Sequence, residues 1–162
     1  MKNDFKIFLG IFCCLAASRF IPHPPNFTSL IALSFYVPAL LGRKYLVAVL
    51  ISFAITDIFL GFHKILLFTW GSVLIIGFIS TYFKSNIIKR FSGIFLSLII
   101  FFILSNFGVW VSGLYGYNFE GLTKCYLLAI PFFGMSIIST IIYSCVIEGL
   151  YKILNPVLKK IS

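Results

Sequence analysis

The chain is short of charge, and of acid most of all. Only 4 of its 162 residues are Asp or Glu, against 13 Lys or Arg, and charged residues make up 10% of the total. A soluble domain typically carries about 25%, so a water-facing surface of ordinary polarity is excluded. Cysteine is sparse too. Cys13, Cys14, Cys125 and Cys145 form no Cys-x-x-Cys pair, which removes the common zinc and thiol-redox spacings. Three of them lie within apolar runs, where cysteine acts as a small apolar residue, and no disulfide is expected. There is no glycine-lysine phosphate loop of the Walker type, so this chain cannot itself hydrolyse ATP. Repeats, low-complexity tracts and linkers are missing as well, which leaves a single domain over residues 1–162.

What is there is apolar. Hydrophobic residues reach 60% and mean hydropathy is +1.08. At about 20 residues per crossing, the apolar runs predict an all-α, polytopic six-helix transmembrane bundle. Its spans fall near Phe5–Ile21, Phe27–Gly42, Tyr45–Phe62, Ile65–Phe83, Phe91–Val111 and Cys125–Tyr151. The second run is short enough to begin inside the bundle. Met1–Ser18 also has a signal peptide's outline, but the pattern continues through Arg19 and Phe20, and retention as the first span is expected.

The basic residues then sort by side. Lys2, Lys6, Arg43, Lys44, Lys84, Lys89, Arg90, Lys152, Lys159 and Lys160 fall at one set of span ends, and only Arg19, Lys64 and Lys124 at the other. Lys and Arg are retained in cytoplasmic loops, so both termini are expected in the cytoplasm. The basic excess is thus a topology signal: the partner is the lipid bilayer, and no nucleic acid is expected. Tyr45, Tyr82 and Tyr151 suit the inner aromatic belt, and Trp110, Tyr115, Tyr117 and Tyr126 the outer one.

This orientation places the unusual polar residues at one depth. Asp57 lies five residues before the outer end of its span, roughly 7 Å deep at 1.5 Å per residue. Arg19, Ser105 and Asn106 lie at a similar level, with His23, Asn26, His63 and Glu120 in or beside the outer loops. An ionisable group in hydrocarbon costs about 2.5–3.5 kcal/mol and usually faces a partner or a wet cavity. Arg19 and Asp57 are therefore expected to share an outward-facing cavity, as an ion pair or as two ends of a ligand clamp. The plainer alternatives are that Arg19 snorkels to the interface and Asp57 bonds a neighbouring helix. At the inner side, Glu148 is expected to pair with Lys152 on the same helix face, with no comparable buried polar set.

The candidate substrate-binding residues are Arg19, His23, Asn26, Asp57, His63, Asn106 and Trp110. The fork of Arg19 suits an anionic group, and Asp57 balances it or accepts from an amine or hydroxyl. Asn106 offers mixed donors and acceptors, and Trp110 an aromatic wall. "IPHPPNF" (residues 21–27) should form a stiff, non-helical hairpin, either a tight connector or a lid presenting His23 and Asn26. Gly61, four residues after Asp57, reads as a close-approach point, and Pro131 as a bend in the sixth span. His23, His63, Asp57, Glu120 and Cys125 are metal-ligand types, but they come from separate segments without ligand spacing, so no metal and no cofactor are expected. No nucleophile and base pairing is legible, and an enzyme is not expected. Small residues repeat every four positions at Gly10, Cys14 and Ser18, and weakly polar ones at Ser136, Thr140 and Ser144; such stripes allow close helix packing or partner docking.

Four stretches, "RFIPHPPNFTSLIAL", "SFAITDIFLGFH", "FFILSNFGVWVSGLYG" and "GLTKCYLLAIPFF", together resemble an uncharacterised bacterial family of membrane transport proteins. That family is similar in turn to the substrate-binding S components of energy-coupling factor transporters. The resemblance implies a multi-pass protein of the bacterial cytoplasmic membrane that binds a small-molecule solute from outside. Delivery would involve a transmembrane coupling subunit and an ATPase pair. S components often dock through Ala-x-x-x-Ala in the first helix, where this chain has Cys13 with Ala17, or Gly10 with Cys14. The cobalt and nickel members begin Met-His, whereas this chain begins Met1-Lys2. The competing expectations are a structural or assembly subunit, whose polar cluster only locks the bundle, and an intramembrane enzyme using His23 or His63.

Overall fold

A computed structural model describes residues 2–161, with side chains described for residues 4–153. The side chains of Lys2, Lys159 and Lys160, counted above at the inner end, lie outside the described residues. Among the described residues the fold has six α-helices and no strand: α1 (Lys2–Phe20), α2 (Leu30–Tyr36), α3 (Leu46–Leu60), α4 (Leu66–Ser80), α5 (Ile87–Val111) and α6 (Phe119–Ile161). Two of them, α5 and α6 over Phe119–Ile153, are long and apolar enough to cross a membrane, while Leu30–Leu41 and Leu66–Ser80 are shorter apolar helices.

The helices follow the six apolar runs, but their ends differ for chemical reasons. α5 starts ahead of Phe91 because Asn86 Oδ1 accepts from the Lys89 N–H at 2.9 Å. α6 starts ahead of Cys125, where Asn118 Oδ1 accepts from the Gly121 N–H at 2.8 Å. Such caps satisfy donors that the first helical turn leaves open. Hydropathy marks the apolar part of a helix rather than its capped end. α2 starts later than Phe27, because Pro22, Pro24 and Pro25 disfavour helix and Asn26 turns left-handed with φ 63°. Pro131 lies within α6, which runs unbroken from Phe119 to Ile161. Gly61 is not a packing point: it ends α3 with φ 94°, and a Cβ there would meet nothing within 4 Å.

α2 is the axis of the molecule. Every residue from Leu30 to Ala39 is buried, and α3, α4, α5, α6 and, more lightly, α1 all pack against it. At Pro38, which lacks a donor, the helix continues as a π turn over Val37–Leu41. Leu15, Leu33, Val37, Val49 and Val73 fill one side of α2, and Phe35, Tyr36, Ile76, Ile94 and Leu98 the other. α5 comes close through Gly93, where a Cβ would stand 2.5 Å from the Phe35 ring. Leu30–Leu41 is about 18 Å long at 1.5 Å per residue, too short to fill the bundle from end to end. Space remains beyond its amino-terminal end.

Small polar residues share the interior with the apolar core, while large apolar ones cover the outside. Ser34, Ser52, Thr56, Asp57, Ser72, Ser97, Thr140 and Ser144 are buried, while Phe5, Val47, Ile58, Leu67, Phe78, Phe95, Leu127 and Val146 are exposed. Most of the buried hydroxyls donate back into their own helix, as Ser34 does to the Leu30 carbonyl at 2.6 Å and Ser97 to that of Gly93 at 2.7 Å. That is how a short polar side chain is satisfied without water.

One end of the bundle is tied by charge. Lys44 Nζ and Tyr45 Oη both donate to Asp4 Oδ1, at 3.1 and 2.7 Å, and Arg43 Nη2 donates to Thr81 Oγ1 at 2.7 Å. The Glu148 carboxylate lies at this end too, and the expected Lys152 pairing gives way to another. Arg90 Nε and Nη2 donate to its two oxygens at 2.6 and 2.7 Å, and Arg90 Nη1 donates to the Lys84 carbonyl at 3.1 Å. Both side chains of the pair are 9% exposed. A guanidinium fork matches two carboxylate oxygens at once, which a single ammonium cannot. The end expected to be the inner one, with no comparable buried polar set, therefore does hold a buried ionic pair.

Candidate functional site

The space beyond the amino-terminal end of α2 is a cavity of about 580 Å³. Leu30 and Ile31 form its floor. Phe53 and Leu60 of α3, Phe101, Phe102 and Val109 of α5, and Phe132 and Phe133 of α6 supply apolar and aromatic walls. The polar groups enter from the edges: Arg19 at the end of α1, His23 and Asn26 from the proline loop, His63 and Thr69 around the start of α4, and Ser105 and Asn106 of α5.

Arg19 is held on several sides. Its Nη2 stands 2.7 Å from Asp57 Oδ1, its Nη1 donates to Thr56 Oγ1 and, at 3.4 Å, to the Phe53 carbonyl, and its guanidinium lies 4.6 Å from the centre of the Phe53 ring. The Oδ1 contact is ionic and lacks hydrogen-bond direction. Asp57 Oδ2 accepts from the Trp70 indole N–H at 2.8 Å. The Arg19 side chain is 13% exposed and that of Asp57 0%. Asp57 accordingly sits behind Arg19, outside the cavity wall, and the pair brings no net charge to the cavity.

The other polar groups are partly engaged. His23 Nδ1 is 2.7 Å from the Pro24 carbonyl, so that nitrogen carries the hydrogen and a neutral ring offers Nε2 as an acceptor. His63 Nε2 is 3.2 Å from Thr69 Oγ1. Because Thr69 gives its own hydrogen to the Leu66 carbonyl at 3.0 Å, His63 donates to Thr69 and does not act as its base. The Asn26 carbonyl stands 3.4 Å from Ser139 Oγ, which shares its one hydrogen between this carbonyl and that of Ser136. Asn106 Nδ2 donates to the Phe102 carbonyl at 2.7 Å, which leaves its Oδ1 and second N–H.

Arg19, His23, Asn26, His63 and Asn106 thus line one cavity, with Asp57 bonded behind it. Trp110 does not belong to it. Its indole N–H donates to the Asn118 carbonyl at 3.3 Å, and its ring packs by Phe107 and Tyr117, with centroids 5.5 and 6.5 Å away. The α5 wall is a stripe through Leu98, Phe101, Phe102, Ser105 and Val109. At about 100° per residue, Trp110 is turned out of it. Trp70 was missed from sequence. Its signal is the α3–α4 hairpin: Asp57 lies three residues before the end of α3 and Trp70 four after the start of α4, so antiparallel packing sets them side by side. A buried indole N–H then needs an acceptor.

Among the described residues, no group of three or more His, Cys, Asp or Glu is placed to hold a metal ion. Cys125 is buried and donates to the Asn106 carbonyl at 3.3 Å, while Glu120 is exposed in the first turn of α6. All four cysteines are free. No curated protein and no solved structure matches the chain. A family profile does match, over residues 1–161, and the chain belongs to that family, DUF6580, a family of unknown function.

Proposed function

We propose that the chain is a polytopic membrane protein that binds a small solute for uptake, in the manner of a transport S component. The observation that carries the reading is the cavity of about 580 Å³ with Arg19, His23, Asn26, His63 and Asn106 around aromatic walls. Pockets of roughly 300–1,000 Å³ take small organic ligands. Six spans, cytoplasmic termini and a bacterial cytoplasmic membrane are supported by the apolar outer faces of the helices and by the basic residues at one end. The cavity then opens from the opposite, outer side.

The bonding of Arg19 narrows the solute. Its charge is offset by Asp57 and its fork is shared with Thr56 and Phe53, so anion capture is a poor use of this site. The walls suit an uncharged molecule with a planar ring. His23 Nε2 and the Asn106 amide supply a few directed hydrogen bonds. A coupling subunit and an ATPase pair would complete delivery. Gly10, Cys13, Cys14 and Ala17 of α1 are exposed, which leaves a small-residue face for a partner helix.

The test is native mass spectrometry of gently purified protein beside Ser105→Trp, which places an indole in the cavity. Wild type should retain a small neutral molecule and the variant, equally folded, should not. Retention by both, or by neither, would sink the reading in favour of an assembly subunit. Co-purification of an ATPase pair would support the coupled form, and turnover of a substrate by the chain alone would favour an enzyme.

A further inference from the structure

A second polar feature leads away from the cavity. On α6, Ser136, Thr140, Ser144 and Glu148 follow at four-residue spacing and are all buried, so they form one face. Ser136 lines the cavity and Glu148 is bonded to Arg90 at the other end. Across from this face, on α2, Tyr36 is 1% exposed, and its hydroxyl stands near Glu148 and Ser144 without a hydrogen bond of ordinary geometry to either.

The hydroxyls in the middle of this face differ from most buried hydroxyls among the described residues. Ser136 donates to the Phe132 carbonyl and Ser139 to that of Ser136, both at 3.1 Å. Thr140 and Ser144 do neither. Five buried side-chain atoms among the described residues make no hydrogen bond of ordinary geometry: Tyr36 Oη, Ser52 Oγ, Asp57 Oδ1, Thr140 Oγ1 and Ser144 Oγ. Asp57 Oδ1 has its ionic contact with Arg19. Three of the remaining four, those of Tyr36, Thr140 and Ser144, belong to the facing sides of α2 and α6.

We infer that the interface between α2 and α6 binds a file of ordered water that links the solute cavity to Glu148. Neighbours one helical turn apart have Cβ atoms about 5–6 Å from each other, and one water spans that gap with a hydrogen bond of about 2.8 Å on each side. Buried waters usually make about three hydrogen bonds to otherwise unsatisfied groups. Thr140, Ser144 and Tyr36, with the lone pairs of Glu148 and the Ser136 hydroxyl, supply that number along the face. Ordinary helical hydroxyls answer their own carbonyls, so a hydroxyl left open in the core marks a place for another partner. The inference is independent of what the cavity binds.

X-ray hydroxyl-radical footprinting of the full-length protein in lipid nanodiscs reads this directly, because radicals generated from bound water oxidise the side chains beside it. Tyr36 should be oxidised severalfold faster than Phe35, its fully buried neighbour with a ring centroid 5.3 Å away. In a Thr140→Val, Ser144→Ala variant, Tyr36 oxidation should fall severalfold while Phe35 stays the same. Ser136→Phe, at the cavity end, should slow entry of heavy-oxygen water into the oxidised Tyr36. If wild-type Tyr36 is as protected as Phe35, or if the double variant changes nothing, the water file is overturned. If Ser136→Phe leaves the exchange unaltered, the water does not communicate with the cavity and the link is overturned.

Discussion

Among the described residues, two arginine–carboxylate pairs are wholly or largely shielded from solvent, and they are built differently. In what we call the inner pair, at the basic end of the bundle, Glu148 gives both oxygens to one guanidinium at 2.6 and 2.7 Å, and this ties α6 to α5. In the outer pair, at the opposite, cavity end, the Asp57 oxygens are divided between Arg19 and Trp70, and the Arg19 donors between Asp57, Thr56 and Phe53. The inner pair is closed on itself, whereas the outer pair keeps one edge on a cavity. Bidentate contact with Glu148, together with the Lys84 carbonyl, engages every nitrogen of the Arg90 guanidinium; divided contact leaves a charge whose balance depends on several neighbours. The inner pair is a fastening and the outer pair is part of a wall.

The largest expected effect follows from breaking the fastening. Glu148→Gln leaves a buried guanidinium without its counter-charge, which typically costs about 3–5 kcal/mol, read as a lower midpoint of unfolding in mild detergent. Lys152→Ala is the control, since Lys152 is the partner that helix spacing alone would choose. Equal damage from both substitutions would mean that Lys152 holds the carboxylate, and the contrast between the two ends would be lost.

Asp57→Asn should cost less, about 1–3 kcal/mol. The amide oxygen still accepts from Trp70, and Arg19 can take water from the cavity. The change in binding should be clearer than the change in stability. With Asp57 neutral the cavity wall is cationic, so benzoate, a ring with a carboxylate, should bind the variant and not the wild type by calorimetry, more weakly as salt rises. Equal binding by wild type would show that Arg19 is free for anions and that the outer pair is not a balanced one.

These two pairs also show what the residue order could and could not reveal. Arg19 and Asp57 were legible as partners because Asp57 is the one acid well inside an apolar run and Arg19 the one guanidinium at a similar level of another. Arg90 and Glu148 were not, because Lys84, Lys89, Arg90 and Lys152 all fall at the same end. Distance along the chain favours Lys152, and only three-dimensional packing favours Arg90. The proline loop announced its lack of helix, and His23 and Asn26 reach the cavity with it. Trp110 shows the limit of reasoning by depth: it sits at a suitable level, but rotation about α5 decides which cavity a side chain can line. The burial of α2 on every side was half visible, in the shortness of its run. Which helices surround it depends on pairings, such as Gly93 against Phe35, that no periodicity encodes.

A third, exposed pair calibrates both buried ones. Lys44 and Asp4 are 71% and 51% exposed, and with Tyr45 they join the start of α1 to the α2–α3 turn. The Tyr45 hydroxyl first, then the Lys44 ammonium, hold the Asp4 carboxyl below the usual carboxylate range. A depressed folded-state value means that this contribution is fully present above the ordinary aspartate value, near 4. It is lost as pH falls through the lowered one. Near neutral pH, Asp4→Asn should therefore move the melting temperature only slightly, far less than Glu148→Gln or Asp57→Asn. Asparagine keeps an acceptor for Tyr45 and loses charge attraction, that to Lys44 included, which solvent already weakens. At about 1 M salt, where screening acts over roughly 3 Å, the remaining difference should vanish, while the Glu148→Gln deficit persists because its charges are shielded from ions. If salt erased the Glu148→Gln deficit as well, the inner pair would be a surface contact like this one.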